Sequence, residues 1–152
     1  AVGLLEVLYF NKNVFVSYSE NRGKGKSSTS VAKASFNENE LKFENIFRAE
    51  PPINSGYHFG SRLVVKDNLL YITAGERGEG MIAQDPTKHP GSIIRVHLDG
   101  KIPKDNPKFK GKENWLPEIF QKSPATRQVG TTARRLRSSP DALCPWPHHP
   151  ES

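Results

Sequence analysis

Short apolar and β-branched runs, separated by tight polar turns, dominate the chain from Gly3 to Phe120. Runs of this length are typical of β-strands and too short for most helices. Two of the turns resemble each other, since the stretches at 10–14 (FNKNV) and 65–69 (VKDNL) each place an asparagine before a strand, 55 residues apart. A repeat of this size with four strands per unit is typical of a β-propeller blade, although two unrelated hairpins would produce the same echo.

The pattern predicts two groups of four strands, divided by Pro51-Pro52. The predicted strands are Gly3 to Phe10, Val14 to Tyr18, Thr29 to Phe36 and Leu41 to Arg48, then Arg62 to Val65, Leu69 to Thr73, Ser92 to Leu98 and Leu116 to Phe120. In the second strand Val14, Val16 and Tyr18 share one face, which is the alternation of a half-buried strand. The polar, glycine-rich stretch 19–27 is expected to be an exposed loop.

The composition agrees with an all-β fold. Hydrophobic residues make up 35% of the 152 residues, and the 12 glycines and 12 prolines indicate many turns. The net charge of +6 is moderate and the basic residues are scattered. Nucleic acid is therefore not an expected partner, because it requires a clustered basic face with interleaved aromatic residues.

No apolar run approaches the roughly 20 residues of a transmembrane helix. The first residues already have the pattern of a strand, and they lack the charged and apolar regions of a signal peptide. We therefore interpret the sequence as a fragment that begins inside a domain.

The composition changes at Ser123. Residues 123–152 contain five prolines and four arginines without convincing alternation, which predicts a disordered or non-native tail after a domain at 1–122. Cys144, His148 and His149 are not expected to bind a metal, because adjacent histidines point apart and zinc needs about four converging ligands. The sequence predicts no metal ligand.

A histidine and a charged loop are the candidate functional features. His58 stands directly before a predicted strand, where a rigid sheet would present it to a substrate. The next strand ends in the loop Gly75-Glu76-Arg77-Gly78. A histidine in such a place also commonly bonds the backbone of its own turn, so the residues alone leave both roles open.

Eight short motifs follow one another along about 118 residues. They are Gly3-Leu4-Leu5, Val16-Ser17-Tyr18-Ser19, His58-x-Gly60-x-Arg62-Leu63, Gly75-x-Arg77-Gly78, Ala83-Gln84-Asp85, Gly91-x-Ile93-Ile94-Arg95, the segment from Asp99-Gly100 to Asn106-Pro107, and Leu116-Pro117-Glu118-Ile119. In this order they resemble the soluble quinoprotein glucose dehydrogenase and sorbosone dehydrogenase family, particularly its aldose sugar dehydrogenase branch. The resemblance implies a partial six-bladed β-propeller of about two blades, from a periplasmic or secreted protein.

The same resemblance implies a chemistry. Members of the family bind pyrroloquinoline quinone and calcium and oxidise the C1 hydroxyl of aldoses to a lactone, and His58 matches the general base that removes the hydroxyl proton. Histidine is a natural proton acceptor near neutral pH, and the cofactor accepts the hydride. Met81 and Ile82 match a loop on the substrate side of the sugar pocket, although such a pair equally fits a simple loop anchor.

The sequence also predicts the structural setting of three arginines. Arg77 lies between two glycines and is expected to project from a tight turn. Arg62 and Arg95 lie within strands and are expected to form structural ion pairs.

The sequence departs from the family pattern at both ends. Ala1 and Val2 stand where the family has Gln-Gly, and residues 122–127 stand where it has an Arg-Asn-Pro-Gln-Gly motif that engages the quinone. We hypothesise a truncation with an out-of-frame or foreign tail, and we expect this polypeptide to be inactive alone and to self-associate through open sheet edges. A non-enzymatic propeller used for binding is the alternative function, and an unrelated β-sandwich is the alternative fold.

Overall fold

The computed structural model describes residues 3–36, 40–108, 111 and 113–122, and within them the chain is all-β. The first sheet contains β1 (Leu4–Phe10), β2 (Asn13–Asn21), β3 (Ser27–Ser35) and β4 (Glu44–Arg48). The second contains β5 (Gly60–Lys66), β6 (Leu69–Ala74), β7 (Ser92–His97) and β8 (Ile119–Lys122), with a 3-10 helix at Gly80–Gln84 between β6 and β7. The expected tail at 123–152, with Cys144, His148 and His149, lies outside the described residues.

Both sheets are antiparallel meanders, in which each strand pairs with the next one along the chain. β1 lies beside β5, so the first strands of the two sheets are neighbours. Successive four-stranded meanders packed in this way are adjacent blades of a β-propeller, whereas a β-sandwich of the immunoglobulin type has Greek-key connections. The predicted partial propeller of two blades is therefore confirmed.

The repeated turn motif occupies the same place in each blade. Asn11 and Lys12 join β1 to β2, and Asp67 and Asn68 join β5 to β6. All four have positive φ, between 48° and 58°, as a two-residue type I′ hairpin requires. Asn11 is equivalent to Asp67, so the blades are offset by one residue more than the 55 that the motif suggested.

The buried face of β2 is opposite to the one that its valines suggested. Phe15 and Ser17 are fully buried, whereas Val14, Val16 and Tyr18 are only partly buried. The second blade packs on the Phe15 face. β2 also continues to Asn21 and β3 begins at Ser27, so the loop predicted at 19–27 was too long. Local alternation fixes which residues share a face, but the neighbouring blade decides which face is buried.

Two strands of the structure begin later than the sequence predicted. β4 begins at Glu44 rather than Leu41, and β8 runs from Ile119 to Lys122 rather than from Leu116. Pro117 explains the second shift, because proline cannot donate a hydrogen bond to a sheet.

One hydrophobic core joins the two blades. Its buried members are Phe15, Val31, Phe47, Ala49, Leu63, Leu70, Ile72, Ile94, Val96 and Ile119. Burial of each large aliphatic side chain contributes roughly 1.5–3 kcal/mol of transfer free energy. The blades therefore stabilise each other rather than forming separate cores.

Polar contacts also cross the boundary between the blades. The carboxylate of Glu6 accepts a hydrogen bond from the backbone N–H of Leu63 at 2.6 Å and pairs with Arg62 at 3.3 Å. Arg95 pairs with Asp105 within the second blade. Both arginines thus form ion pairs, as predicted.

The buried side chain of His89 joins the end of the first blade to the second. Its Nδ1 accepts a hydrogen bond from the backbone N–H of Glu50 at 2.9 Å, and the backbone N–H of His89 donates to the Glu50 carbonyl. The ring also meets Phe47 edge-on, with centroids 5.2 Å apart.

Candidate active site

A close backbone approach shapes the turn that carries His58. The N–H of Gly75 donates to the carbonyl of Phe59 at 2.9 Å, and the N–H of Arg77 donates to the carbonyl of His58 at 3.3 Å. A Cβ on Gly75 would overlap the His58 carbonyl oxygen, so only glycine fits there. His58 itself has φ +54°, which this packing maintains against its local cost.

The side chain of His58 pairs with a carboxylate in the same turn. Its Nδ1 contacts Oε1 of Glu76, 18 residues further along the chain. A carboxylate only accepts hydrogen bonds, so Nδ1 donates the proton of this pair, and in the neutral imidazole Nε2 then carries the lone pair. No partner of Nε2 occurs among the described residues, and 59% of the side chain is exposed. The arrangement presents an oriented proton acceptor to the surface.

The electrostatics of the pair favour an ionised Glu76. Partial burial would raise the pKa of this carboxyl, but the hydrogen bond from His58 and those from the backbone N–H groups of Glu76 and Gly78 outweigh it. Its pKa is consequently lowered from the usual value. Tyr57 completes the surroundings with an edge-to-face contact to the His58 ring, at 5.2 Å between centroids.

Arg77 does not project from its turn, so that expectation was wrong. Only 3% of the residue is exposed. Its guanidinium donates to the carbonyls of Tyr57 and Ser27, both at 3.0 Å, and also reaches the Ser55 carbonyl. It lies 3.6 Å from the ring centroid of Phe59. Five fixed donors let arginine satisfy several carbonyls at once, and this explains its burial.

Met81 and Ile82 lie on the 3-10 helix that follows this turn. Met81 is 80% exposed, and Ile82 is partly exposed. The N–H of Glu79 donates to the Glu76 carbonyl at 3.0 Å, so the helix continues directly from the turn that holds His58. No hydrogen bond or ring contact links either side chain to His58 in the described part of the chain.

Lys122 fastens the same helix to β7. Its Nζ donates to the carbonyls of Lys88 at 2.9 Å, Pro90 at 3.0 Å and Ile82 at 3.4 Å, and to Oγ of Ser92 at 2.9 Å. Burial lowers the pKa of this ammonium to about 8. The hydrogen bond from Lys122 to the Ile82 carbonyl therefore holds the 3-10 helix against the segment that leads into β7.

The sequence did not predict the roles that three residues of the site have in the structure. Glu76 occupied the variable position of the motif Gly75-x-Arg77-Gly78, and only its place in a glycine-bracketed loop signalled a role. The structural roles of Arg77 and Lys122 had no local signal, because the groups they contact are 20 to 50 and 30 to 40 residues away.

Within the described ranges no group of three or more His, Cys, Asp or Glu side chains is placed to hold a metal ion. Nor does the described part of the chain contain a helix long and apolar enough to cross a membrane.

The chain belongs to the Glucose / Sorbosone dehydrogenase family, whose sequence profile matches residues 3–131. The aldose sugar dehydrogenase YliI of Escherichia coli is 35% identical over 117 residues, which cover 71% of this chain and 32% of that protein. Quinoprotein glucose dehydrogenase B of Acinetobacter calcoaceticus is 30% identical over 101 residues, or 53% of this chain and 21% of that one.

The fold agrees with this membership. The crystal structure of the soluble aldose sugar dehydrogenase from Escherichia coli in the apo-form superposes with a TM-score of 0.71 at 33% identity, over 78% of this chain and 36% of that one. The chain thus spans about a third or less of the length of these relatives.

Proposed function

We propose that the chain forms part of an enzyme that oxidises the C1 hydroxyl of an aldose to a lactone, with His58 as the general base. The observation that carries the proposal is the His58–Glu76 pair, which leaves Nε2 as an exposed proton acceptor. The names of the relatives, a quinoprotein glucose dehydrogenase and an aldose sugar dehydrogenase, support the substrate class.

The chemistry divides between the chain and its cofactor. Pyrroloquinoline quinone, when bound, supplies the acceptor for the hydride that leaves C1. His58 takes the proton of the C1 hydroxyl at Nε2, and the carboxylate of Glu76 stabilises the imidazolium that forms. Base catalysis of this kind contributes roughly 10²–10⁴ in rate.

Met81 and Ile82 are proposed to line the sugar side of the site. Their helix follows the Glu76 turn and is held by Lys122, while the Met81 side chain stays exposed. An exposed apolar side chain on an anchored helix can cover the apolar face of a sugar ring.

We also propose that this polypeptide alone is inactive and that its enzyme is periplasmic or secreted. Its described residues provide the candidate base, but the chain spans only about a third of the length of its relatives. Apolar side chains of β1, including Leu4, Val7 and Tyr9, are exposed and provide a surface for self-association.

Dye-linked sugar oxidation tests the proposal. The polypeptide alone, supplied with pyrroloquinoline quinone, calcium and glucose, should not reduce the dye. A chimera in which residues 3–122 replace the matching segment of the Escherichia coli relative should reduce it.

His58→Ala in that chimera should lower kcat by about 10²–10⁴. His97→Ala, which removes an exposed histidine from β7, is the matched control and should leave kcat within twofold. A folded chimera that binds quinone but keeps its activity after His58→Ala would refute the assigned base. A folded chimera that binds no quinone would favour the non-enzymatic binding module.

A further inference from the structure

A groove of about 630 Å³ lies between the loop at 22–26 and the segment at 54–59. Lys24 and Lys26 line one side, Asn54 adds an amide, and Leu5 and Phe59 supply apolar surface. This volume is in the range of small-molecule sites, roughly 300–1,000 Å³. Its mixture of apolar wall and a few polar groups is also typical of such sites.

The charge of the groove is positive and uncompensated. Nearby arginines are already paired, since Arg22 contacts Glu50 at 2.5 Å and Arg48 contacts Glu20 at 2.8 Å. Lys24 and Lys26 have no ion pair within the described ranges, and no Asp or Glu lines the groove there. Two lysines that line one concave space, with no carboxylate among the other lining residues, favour an anion there.

The loop that carries the lysines is well ordered by its own hydrogen bonds. The N–H of Arg22 donates to the carbonyl of Lys26, and the N–H of Lys26 donates to the carbonyl of Gly23, both at 2.9 Å. The side-chain oxygen of Asn21 accepts from the N–H of Gly23 at 2.9 Å. A pinned loop reduces the entropy that ligand binding would otherwise cost.

The groove adjoins the chain segment that carries the candidate general base, although His58 itself is not one of its lining residues. Phe59 lines it and directly follows His58. Arg77, which follows the Glu76 partner of His58, donates to the carbonyls of Ser27 and Ser55 on the same wall. A ligand in the groove would therefore lie beside the turn that presents the base.

We propose that the groove binds the anionic group of an acidic aldose, a carboxylate or a phosphate, through Lys24 and Lys26. The assignment of the ligand as a substrate rests on the proposed function above. The lysines would select acidic over neutral sugars.

Titration calorimetry of the intact chain tests this assignment. Glucose 6-phosphate or glucuronate should bind at least tenfold more tightly than glucose, and raised salt should weaken the difference. The double variant Lys24→Gln/Lys26→Gln should lose at least tenfold in affinity for the acidic sugar. Binding of one acidic sugar in preference to the other identifies the group as carboxylate or phosphate.

Lys12→Gln/Lys66→Gln is the matched control, because it removes the same charge from two exposed turn lysines. It should change affinity less than twofold. The proposal would be overturned if the control lost as much affinity as the double variant, or if glucose or inorganic phosphate bound as tightly as the acidic sugar. It would also be overturned if Lys24→Gln/Lys26→Gln weakened only the binding of pyrroloquinoline quinone. If the lysines bind an acidic sugar that the chimera does not oxidise while it still oxidises glucose, the ligand is not a substrate and this proposal fails, whereas the proposed function stands; a chimera that oxidises neither sugar would refute the proposed function and leave the groove as an anion site.

Discussion

The guanidinium of Arg77 lies 3.6 Å from the ring centroid of Phe59 and is almost completely buried between the two blades. The same guanidinium donates to the Ser27 carbonyl of the first blade and the Tyr57 carbonyl of the second. One side chain thus joins the groove, the His58 turn and the boundary between the blades. A buried cation in this position is tolerated because its donors are satisfied by carbonyls and its face is covered by an aromatic ring.

Arg77→Ala should lower the free energy of unfolding by on the order of 3 kcal/mol, because buried carbonyls lose their donors. Arg77→Lys should recover only part of this loss, since one ammonium cannot replace the planar guanidinium. Urea denaturation measures both. Arg62→Ala, which removes an exposed arginine with a single ion pair, is the control and should cost less than about 1 kcal/mol. A loss for Arg77→Ala as small as that would show that Arg77 does not hold the blades together.

Gly75→Ala should displace the His58 turn and destabilise the fold by about 2–3 kcal/mol, since the new methyl would overlap the His58 carbonyl. Gly80→Ala is the matched control, because a Cβ there meets no atom within 4 Å. Thermal unfolding measures the stabilities, and the NMR chemical shifts of His58 report the displacement. Unchanged His58 shifts in Gly75→Ala would contradict the role assigned to this approach.

Glu76→Gln should remove the contribution of the ionised Glu76 carboxylate to the free energy of unfolding, and this contribution depends on pH. The folded pKa of Glu76 is lowered from 4.5, so its contribution is complete above that value and is lost as the pH falls through the folded pKa. The free energy of unfolding of the wild type should exceed that of Glu76→Gln by about 0.5–1 kcal/mol at pH 7, and the difference should shrink below pH 4.5. Denaturation from pH 3 to 7 measures it.

Glu79→Gln is the control for that series, since Glu79 is an exposed carboxylate in the same loop. It should change the free energy of unfolding by less than about 0.5 kcal/mol. A pH-independent difference between wild type and Glu76→Gln would contradict the ionised pair with His58.

Lys122→Met should change the alkaline side of the stability profile. Burial lowers the pKa of Lys122 from 10.5 to about 8, so the unfolded chain binds more protons between these values. Wild-type stability should therefore rise relative to the variant as the pH increases from 8 to 10. Equilibrium denaturation at pH 7, 8, 9 and 10 checks this, and parallel profiles would show that the ammonium is not held as the structure indicates.

Much of the fold followed from local patterns. The turns at Asn11 and Asp67, the grouping of the strands in fours and the position of His58 before β5 are all readable from neighbouring residues. Pro117 moved the start of β8, and a signal for that shift was present in the sequence. The face of β2 could not be read, because Phe15 is buried in a core that both blades build.

The sequence by itself determined that this chain is all-β, that its hairpins repeat and that His58 precedes a strand, because turn chemistry and alternation act over a few residues. Only the tertiary structure decided that Glu76 contacts His58, that Arg77 is buried and that Lys24 and Lys26 line a groove. These relationships join residues 18 to 50 positions apart. The pairing of β5 with β6 brings Glu76 to His58, whereas the burial of Arg77 depends on how one blade packs against the next. A side chain acquires its partner and its solvent exposure only when both surfaces are in place.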